Sequence, residues 1–462
     1  MIEKIFKAYD VRSTYPDPLD ADAAWRVGHA AAQFLKRSRQ DVGGKDKLER
    51  EDTIVVGRDM RPHSPELAEA LIEGIRSVGT NVIDVGMIDT SFIYFAINHL
   101  GCVGGIQCTA SHNPINYNGF KISGPHAAPI GSASGLNDIK RIATQTRRGK
   151  TGLEGKLETM DLWAEYRQHV LQFLKLERPI RIAVDASNGM AVDMVPKVFG
   201  DVENLTIDGL NMEYRDEFVH EPNPLVESNL KMLKDKLAEG EYDLGGCFDG
   251  DADRCMFVDE KGHTIGCDIL TAMLVPDFLD GEDEGTTVVY DLRSSHIVKD
   301  TIEKHGGTPR RDKVGHAFIK KTMKETKAVF GGELSGHFYF RDNFFADSGA
   351  IVFAALLTHL SKSDKPLSEL AAPYETYFQS GEVNFKVEDK EGKIREIQKI
   401  YSKGQIDHLD GITVDMGSWW FNVRMSNTEP LLRLNLEAED QDLLNEKLEE
   451  LKGHLGEVAE GH

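Results

Sequence analysis

The densest group of acidic side chains stands in FDGDADRC, residues 248–255, where Asp249, Asp251 and Asp253 alternate with small residues. Three carboxylates this close repel one another unless a cation lies among them. Ligands that are all oxygen select a hard cation such as Mg²⁺. Arg254 follows directly, and the fork of a guanidinium suits a phosphate. The stretch therefore predicts one bound Mg²⁺ with an anion beside it.

The alternatives for residues 248–255 are a calcium-binding EF-hand loop and a solvated acidic turn. Counted from Asp249, Glu260 takes the twelfth position, where an EF-hand has its glutamate. Arg254, however, takes the sixth position, where that loop requires glycine. The next residues, CMFV at 255–258, have the composition of a strand rather than a helix. These two departures favour magnesium over calcium.

A second candidate is TASHNP, residues 109–114, which places the hydroxyl of Ser111 directly before His112. A nucleophile for acyl transfer needs a base within reach, and side chains adjacent in sequence rarely face one another well. The chain has no G-x-S-x-G elbow, no P-loop and no G-x-G-x-x-G. A serine that carries phosphate remains, since His112, Lys121 and the magnesium loop could offset the added charge of about −2.

Two further loops offer groups for a phosphate and a sugar. RMSNTEP, residues 424–430, supplies a guanidinium, two hydroxyls and backbone amides that could close round a phosphate. GGELSGH, residues 331–337, alternates Glu333, Ser335 and His337 between glycines, which suits sugar hydroxyls. Taken alone, the composition of each loop favours an ordinary polar turn. Additional basic candidates are Arg293, Lys313 and His316. A lone histidine in such a loop is more often structural than functional.

The order of these motifs along the chain is more specific than any one of them. KAYDVR, TASHNPINYNGFK, DGDADR, GGELSGH and RMSNTEP follow one another from near the start to residue 430. In this order they resemble the α-D-phosphohexomutase family, in particular its phosphomannomutase/phosphoglucomutase branch, over essentially the whole chain. The resemblance implies a heart-shaped, four-domain architecture around a central cleft, with three related α/β domains and a fourth that closes on the substrate.

The resemblance also implies roles for individual residues. Ser111 would carry the phosphoryl group and complete the Mg²⁺ site with Asp249, Asp251 and Asp253. Catalytic roles would fall on His112, Arg254 and Lys121, the last a candidate for proton transfer. Arg293 stands where many relatives have lysine, which keeps the charge but changes the donor geometry. The substrate-binding residues would be Tyr9, Arg12, Arg293, His316, Glu333, Ser335, His337, Arg424, Ser426, Asn427 and Thr428.

The reaction implied by the resemblance is the interconversion of hexose 1-phosphate and hexose 6-phosphate, of mannose, glucose or both. It would pass through a hexose 1,6-bisphosphate, which would also act as activator. A phosphoglucosamine mutase is less favoured, because those relatives usually have Gln where Leu334 stands. A Mg²⁺-dependent sugar phosphatase remains an alternative. A non-catalytic phosphosugar-binding protein is disfavoured, because the serine and all three aspartates are present.

The elements that must position these loops share one pattern of apolar strand, polar loop and amphipathic helix. The pattern occurs three times, at TIVVG–RDMRPHS, at RIAVD–ASNG and at TTVVYD–LRSS. After the first of these loops, a helix is predicted to begin at Ser64. Ligand loops in α/β sheets lie at the carboxyl ends of the strands, so the RD, SNG and LRSS loops are expected on the chemical side. Three such units predict three related α/β domains with mixed sheets.

The last eighty or so residues have another pattern. Ile412, Val414 and Met416 alternate with polar residues, which is typical of a half-buried strand, and leucines at helical spacing follow near the end. This part is predicted to be an α+β domain. The expected domains are 1–155 with the phosphoserine loop, 156–262 with the metal loop, 263–374 with the sugar loop, and 375–462 with the phosphate loop.

The composition limits the class of partner. With 54 Lys and Arg against 76 Asp and Glu, the formal net charge is −22, which argues against nucleic acid as the main partner. Ordinary solubility and a salt-rich cytoplasm both remain explanations of this acidity. Five cysteines without a C-x-x-C pair suit a reducing cytoplasm, and the start of the chain has no apolar stretch like that of a signal peptide. We expect a cytoplasmic monomer or small homo-oligomer that acts on phosphosugars away from membranes.

Overall fold

The computed structural model describes residues 2–38, 48–149, 151–426 and 431–459. The chain divides into two compact units, one formed by Met1–Ile265 with Ser335–Ser368 and the other by Gly266–Leu334 with Glu369–His462. Among the described residues, no helix combines the length and apolar character needed to cross a lipid bilayer.

The first sheet is mixed and has the order β1-β5-β4-β2-β3-β6. Its strands are β1 (Val11–Thr14), β2 (Arg50–Arg58), β3 (Asn81–Met87), β4 (Cys102–Cys108), β5 (Tyr117–Ser123) and β6 (Leu157–Thr159). The central strands β3, β2 and β4 are parallel, whereas β5 is antiparallel to both β4 and β1. The accompanying helices are α1 (Ala21–Ser38), α2 (Ser64–Arg76), α3 (Thr90–Leu100) and α4 (Leu136–Gln145).

The second sheet, also in the first unit, has the order β11-β10-β9-β7-β8. Strands β9, β7 and β8 are parallel, and β10 turns back antiparallel on β9. Its elements are α5 (Trp163–Leu171), β7 (Ile180–Asp185), α6 (Ala191–Phe199), β8 (Leu205–Leu210), α7 (Lys231–Ala238), β9 (Leu244–Phe248), β10 (Cys255–Asp259) and β11 (Thr264–Ile265).

A third α/β segment follows. In the second unit, β12 (Thr287–Asp291) pairs in parallel with β13 (Thr308–Asp312) and with β14 (Phe330–Gly332). In the first unit, β15 (Phe338–Phe340) and β16 (Ala346–Asp347) form an antiparallel pair. The helices of this segment are α8 (Cys267–Leu279), α9 (His296–Lys304), α10 (His316–Thr326), α11 (Gly349–Ser361) and α12 (Leu367–Ala371).

The C-terminal sheet lies in the second unit and is antiparallel throughout, with the order β17-β21-β20-β19-β18. Its elements are β17 (Phe378–Lys386), α13 (Lys390–Ile400), β18 (Gln405–Asp407), β19 (Ile412–Asp415), β20 (Trp419–Met425), β21 (Leu431–Ala438) and α14 (Gln441–Leu455). The alternating apolar residues of β19 and β21 pack with Leu444, Leu451 and Leu455 of α14 in one core. The predicted fold class, three α/β segments followed by an α+β segment, is confirmed.

The local sequence explains where the elements begin and end. Helix α2 begins at Ser64, as predicted, with Pro65 in its first turn, where the missing N–H costs nothing. Helix α3 begins after Asp89, whose carboxylate accepts a hydrogen bond from the amide of Phe92 at 3.1 Å. Both helices follow parallel strands, so their N-termini lie at the carboxyl edge of the first sheet.

Candidate active site

Ser111 lies in the loop that joins β4 to the antiparallel β5. Its backbone has a φ of +52°, in the left-handed region that residues with a Cβ rarely adopt. The Ser111 amide donates to Thr109 Oγ1 at 2.9 Å, which helps hold this conformation. The side chain is 5% exposed, and its Oγ lies 3.2 Å from Asp249 Oδ2. The predicted phosphate carrier and the predicted metal loop are therefore in direct contact.

The three aspartates converge as the sequence predicts. They follow β9, are almost completely buried, and each offers a carboxylate oxygen within 4.8 Å of the others. Burial raises the pKa of each carboxyl, and for Asp249 the charges of Asp253 and Asp251 raise it further, against the opposing effect of Arg254. For Asp251, burial and the charge of Asp253 raise the pKa, but Lys121 and the hydroxyl of Thr90 together lower it overall. For Asp253, the charges of Lys121, His337 and Arg254 together outweigh burial and lower the pKa. Such a cluster is strained unless positive charge enters it.

The donors around the aspartates show that this cluster fits a divalent cation. Asp251 Oδ2 accepts from Thr90 Oγ1 at 2.6 Å and from Lys121 Nζ at 2.7 Å. Asp253 Oδ2 accepts from Lys121 Nζ at 2.6 Å. The other oxygen of each of these two carboxylates is buried and accepts no hydrogen bond from any described residue. Two orphaned oxygens beside a third carboxylate form an all-oxygen ligand set suited to a hard cation.

The contacts of His112 show that it is not the base for Ser111. Arg254 NH2 lies 2.6 Å from His112 Nδ1, and because a guanidinium can only donate, Nδ1 must be the acceptor. Burial, reinforced by the charges of Arg254 and Arg12, lowers the pKa of His112 to about 3. The neutral ring therefore carries its proton on Nε2. Ser111 Oγ, at 3.3 Å, shares Nδ1 with a stronger donor.

Arg254 and Lys121 supply positive charge from two sides of the cluster. Arg254 donates from Nε to Asp249 Oδ2 at 2.9 Å and is 4% exposed. Burial lowers the pKa of Lys121, but Asp251 and Asp253 outweigh this and raise the pKa far above its usual range. Both side chains are therefore cations at neutral pH, and both contact the aspartate cluster.

The remaining predicted residues of the first unit are placed at different distances from this cluster. Arg12, on β1, donates to Asn113 Oδ1 at 2.7 Å, directly after the Ser–His pair. His337 Nε2 lies 3.7 Å from Asp253 Oδ1, and its Nδ1 is 3.0 Å from Ser335 Oγ. Tyr9 packs beside Gly131. The roles of these residues towards a substrate stay predictions.

The second unit holds Arg293, Glu333 and His316. Arg293 follows β12 and donates to both oxygens of Asp291, at 3.2 and 2.7 Å. Burial opposes the charge on Arg293, but Asp291 outweighs it and raises the pKa of the guanidinium. Glu333 Oε1 accepts from the amide of Gly315 at 2.8 Å, one residue before His316 begins α10. These contacts orient the side chains but leave their substrate roles as predictions.

A second cationic group surrounds Glu382 in the C-terminal sheet. Its carboxylate contacts NH2 of Arg424 and, at 3.1 Å, NH1 of Arg433, while NH1 of Arg293 lies 4.0 Å away. Arg424 and Arg433 are directly opposite on β20 and β21, an arrangement of like charges that needs an anion. Arg424 Nε is buried and has no hydrogen-bond acceptor among the described residues.

The rest of the predicted phosphate loop is only partly described. Ser426 is 9% exposed, and its amide donates to the carbonyl of Leu431 at 3.0 Å. Asn427 and Thr428 lie outside the described residues, so their predicted contacts stay untested.

Several described residues at or beside these clusters were not predicted, among them Thr90, Arg61, Glu382 and Arg433. Thr90 contacts Asp251, Arg61 donates to the Ser111 loop, and Glu382 joins the three arginines. Arg61 belongs to the RDMRPHS loop, whose place after a strand was the available signal. Thr90 could have been found in the same way, since it follows β3. Nothing in the pattern around Glu382 distinguishes it from other strand glutamates.

Comparison with known families matches nearly the whole chain in four consecutive parts. The models describe phosphoglucomutase/phosphomannomutase alpha/beta/alpha domains I, II and III and the C-terminal domain. They match residues 3–150, 164–262, 267–377 and 382–453 respectively.

Individual relatives give the same result. The chain is 37% identical to a phosphomannomutase of Vibrio cholerae, over 96% of this chain and 97% of the relative. It is 34% identical to a phosphomannomutase of Methanocaldococcus jannaschii, over 98% of both. A solved family protein from Burkholderia thailandensis is similar in fold, with a TM-score of 0.88, 30% identity and coverage of 98% and 97%. The chain belongs to the phosphoglucomutase/phosphomannomutase family.

Proposed function

We propose that this protein is a phosphohexomutase that interconverts hexose 1-phosphates and hexose 6-phosphates through a phosphoserine at Ser111. The observation that carries the proposal is the position of Ser111 Oγ, 3.2 Å from Asp249 Oδ2, in an aspartate cluster that also pairs with Arg254 and Lys121. A serine in a hydrolase would need a free base, and His112 Nδ1 already accepts from Arg254. Mannose and glucose phosphates are the expected substrates, because the relatives carry the names of mutases for these sugars.

The phosphoryl group would move from Ser111 Oγ to the free hydroxyl of the bound sugar phosphate and give a hexose 1,6-bisphosphate. After this bisphosphate intermediate reverses its orientation, its other phosphoryl group would be transferred to Ser111. The first step breaks the Oγ–P bond and forms a sugar O–P bond, while the hydroxyl proton passes to the protein. Phosphoryl transfer of this kind depends mainly on positioning and on compensation of charge. The same bisphosphate added in solution would act as activator by phosphorylating unmodified Ser111.

Residues of the first unit have different roles in this phosphoryl transfer. Asp249, Asp251 and Asp253 would hold Mg²⁺, which when bound offsets the negative charge of the transferring group. Arg254 donates to the phosphoryl oxygens, and neutral His112 presents its Nε2–H to the site. Lys121, which pairs with Asp251 and Asp253, is the candidate for proton transfer at the reacting oxygens.

The sugar and its non-reacting phosphate need separate contacts. Arg424 has a buried N–H without an acceptor among the described residues, which supports a role in binding that phosphate. We assign the neighbouring loop residues, including those outside the described range, to the same task, and the sugar hydroxyls to Glu333 and Ser335. The loop residues in this assignment are Ser426, Asn427 and Thr428. The remaining substrate contacts in the proposal are Tyr9, Arg12, Arg293, His316 and His337.

The organisation of the chain is part of the same proposal. The four matched ranges support domains at 1–155, 156–262, 263–374 and 375–462. We further propose that the protein works in the cytoplasm as a monomer or small homo-oligomer. The five cysteines, all buried and unpaired, support a reducing compartment.

The proposal is tested by comparing the wild-type protein with Ser111→Ala. With Mg²⁺ and a hexose 1,6-bisphosphate, the wild type is expected to convert mannose 1-phosphate or glucose 1-phosphate into the 6-phosphate, faster than glucosamine 1-phosphate. Intact-protein mass spectrometry should find one phosphoryl group on the wild type and none on the variant, which should be inactive. Full activity of Ser111→Ala would refute the carrier role. Stoichiometric release of inorganic phosphate would identify a phosphatase instead.

A further inference from the structure

Arg61 is a charged side chain in an unusual position. It lies in the loop between β2 and α2, and neither it nor its partner Asp59 exposes more than 1% of its side chain. Burial of an ion is strongly unfavourable unless its hydrogen-bonding groups are all matched. An apolar side chain of similar size would satisfy a purely structural requirement more simply. The contacts of the guanidinium therefore have to explain why a charge is kept there.

The guanidinium of Arg61 has every one of its N–H groups matched, and four of the five acceptors are backbone carbonyls of the Ser111 loop and of the first residue of β5. Nε donates to Asp59 Oδ2 at 3.1 Å. The other two nitrogens donate to the backbone carbonyls of Ser111 at 2.9 Å, Asn113 at 2.7 Å, Pro114 at 2.6 Å and Tyr117 at 3.0 Å. One rigid, planar group therefore binds the loop from its first turn to the start of β5.

These bonds act on the backbone that orients the Ser111 hydroxyl. Ser111 has a φ of +52°, a conformation that costs on the order of 1–3 kcal/mol for a residue with a side chain and persists only where its surroundings enforce it. The carbonyl that Arg61 binds is also the one that approaches Gly250 of the metal loop. A Cβ built on Gly250 would lie 2.4 Å from this oxygen. Arg61 thus holds Ser111 where the two loops meet.

We propose that Arg61 is a positioning residue for phosphoryl transfer: it fixes the loop carbonyls so that the Ser111 oxygen is aligned with the aspartate cluster. The inference rests on the proposed role of Ser111 as phosphate carrier. Arg61 itself has no N–H left for a substrate, so its effect is exerted through the loop. Lysine cannot replace it, because an ammonium has three donors and cannot reach four carbonyls in one plane.

The test compares Arg61→Lys with Arg76→Lys, a matched control in the same part of the chain. Arg76 also donates to a backbone carbonyl, that of Gly155 at 2.8 Å, and pairs with Glu154, but it does not contact the Ser111 loop. The wild type must first be shown to be phosphorylated at Ser111 and active, which tests the proposed function separately. Rates are then normalised to the phosphoserine content of each variant, so that a smaller folded fraction is not mistaken for slower phosphoryl transfer.

Arg61→Lys is expected to lower kcat by about a hundredfold, as a displacement of about 1 Å can, and to leave the KM for the hexose phosphate unchanged. In a single turnover of the isolated phosphoenzyme, a larger share of the phosphoryl group should pass to water instead of sugar. A purely structural role would lower the unfolding temperature without changing this partition. The proposal is overturned if Arg61→Lys and Arg76→Lys have the same normalised kcat and the same partition.

If Arg61→Lys does not fold, Asp59→Asn is a smaller change that alters the pairing of Arg61 with Asp59. One carboxylate oxygen of Asp59 accepts from Arg61 Nε and the other from the Arg61 amide, so in either orientation of the asparagine amide one of these acceptors becomes an NH2 group and Arg61 is displaced without being removed. A lowered kcat with a shifted partition supports the positioning role, and wild-type values of both overturn it.

Discussion

At the scale of single residues, the site depends on which atom of each polar side chain is already occupied. His112 Nδ1 accepts from Arg254 and so is removed from general-base chemistry. Asp251 and Asp253 each have one oxygen bound by Lys121 and one without a hydrogen bond from the described residues. The first arrangement argues against a hydrolase, and the second leaves two ligand atoms for a cation. The same residue types with other partners would support other chemistry.

Thr90 gives a prediction at this scale. Its hydroxyl and its amide both donate to Asp251, to Oδ2 at 2.6 Å and to the backbone carbonyl at 3.0 Å. Thr90→Val removes only the first of these bonds and should lower the affinity for Mg²⁺ by about 10- to 100-fold, as loss of such a supporting bond commonly does. Titration calorimetry with Mg²⁺ checks this directly. Thr90→Ser is the matched control and should bind as the wild type does, and equal affinity of Thr90→Val would contradict the assigned contact.

Much of the site at this scale could be predicted from the sequence. The three aspartates are close in sequence, so their convergence needs only a turn. Ser111 stands out because His112 follows it directly while no G-x-S-x-G elbow is present. Arg61 and Thr90 were missed for the opposite reason. Neither residue stands in a recognisable motif. Arg61 contacts Ser111, 50 positions away, and Thr90 contacts Asp251, 161 positions away. Contacts over such separations are made by the fold and leave no local pattern.

At the scale of elements, the site is formed where loops from two sheets approach each other closely. Gly250 allows this approach, because its missing Cβ leaves room for the Ser111 carbonyl. Gly250→Ala should therefore displace the Ser111 loop and lower kcat by about a hundredfold, since the new methyl would lie 2.4 Å from a backbone oxygen that cannot rotate away. Steady-state kinetics give the measurement. Gly149→Ala, where nothing lies within 4 Å, is the control and should keep wild-type activity, so equal kcat for both variants would count against the account.

Helix α3 carries a pH-dependent cap. Burial raises the pKa of Asp89, its N-cap residue, from 3.8 to about 7. The unfolded chain releases this proton near pH 4, while the folded chain keeps it until near pH 7, so stability falls as pH rises across that range, by about 1.4 kcal/mol per pH unit. Asp89→Asn keeps the cap and the acceptor for Tyr166 but cannot ionise.

The Asp89→Asn variant should therefore gain unfolding temperature over the wild type as pH rises from 5 to 8. Calorimetric scans of both proteins at each pH measure this difference. A difference that stays constant, or that shrinks with pH, would show that the wild-type carboxyl does not hold its proton in the folded state.

At the scale of elements, the sequence patterns predicted the strand–loop–helix units and the start of α2 at Ser64. They could not predict how the GGELSGH loop is divided, with Glu333 in one compact unit and Ser335 and His337 in the other. That division follows from which strands and helices the flanking segments pack on. Periodicity in a short loop carries no information about it.

At the scale of the whole molecule, the formal net charge of −22 makes the folded chain repel itself. Raising sodium chloride from about 0.1 M to about 1 M shortens the screening length from about 10 Å to about 3 Å and should raise the unfolding temperature. Chloride is preferred to sulfate, which strengthens apolar burial by a separate effect. Scanning calorimetry at several salt concentrations checks the direction, and an unfolding temperature that falls with chloride would contradict net repulsion as a destabilising factor.

The most direct test of the central claim follows the phosphoryl group itself. Protein radiolabelled at Ser111 is freed of excess bisphosphate and mixed with unlabelled mannose 1-phosphate or glucose 1-phosphate and Mg²⁺. The label should leave the protein and appear in hexose 1,6-bisphosphate and hexose 6-phosphate, while Ser111 becomes rephosphorylated from the substrate. Label that stays on the protein during turnover, or that emerges only as inorganic phosphate, would contradict the account.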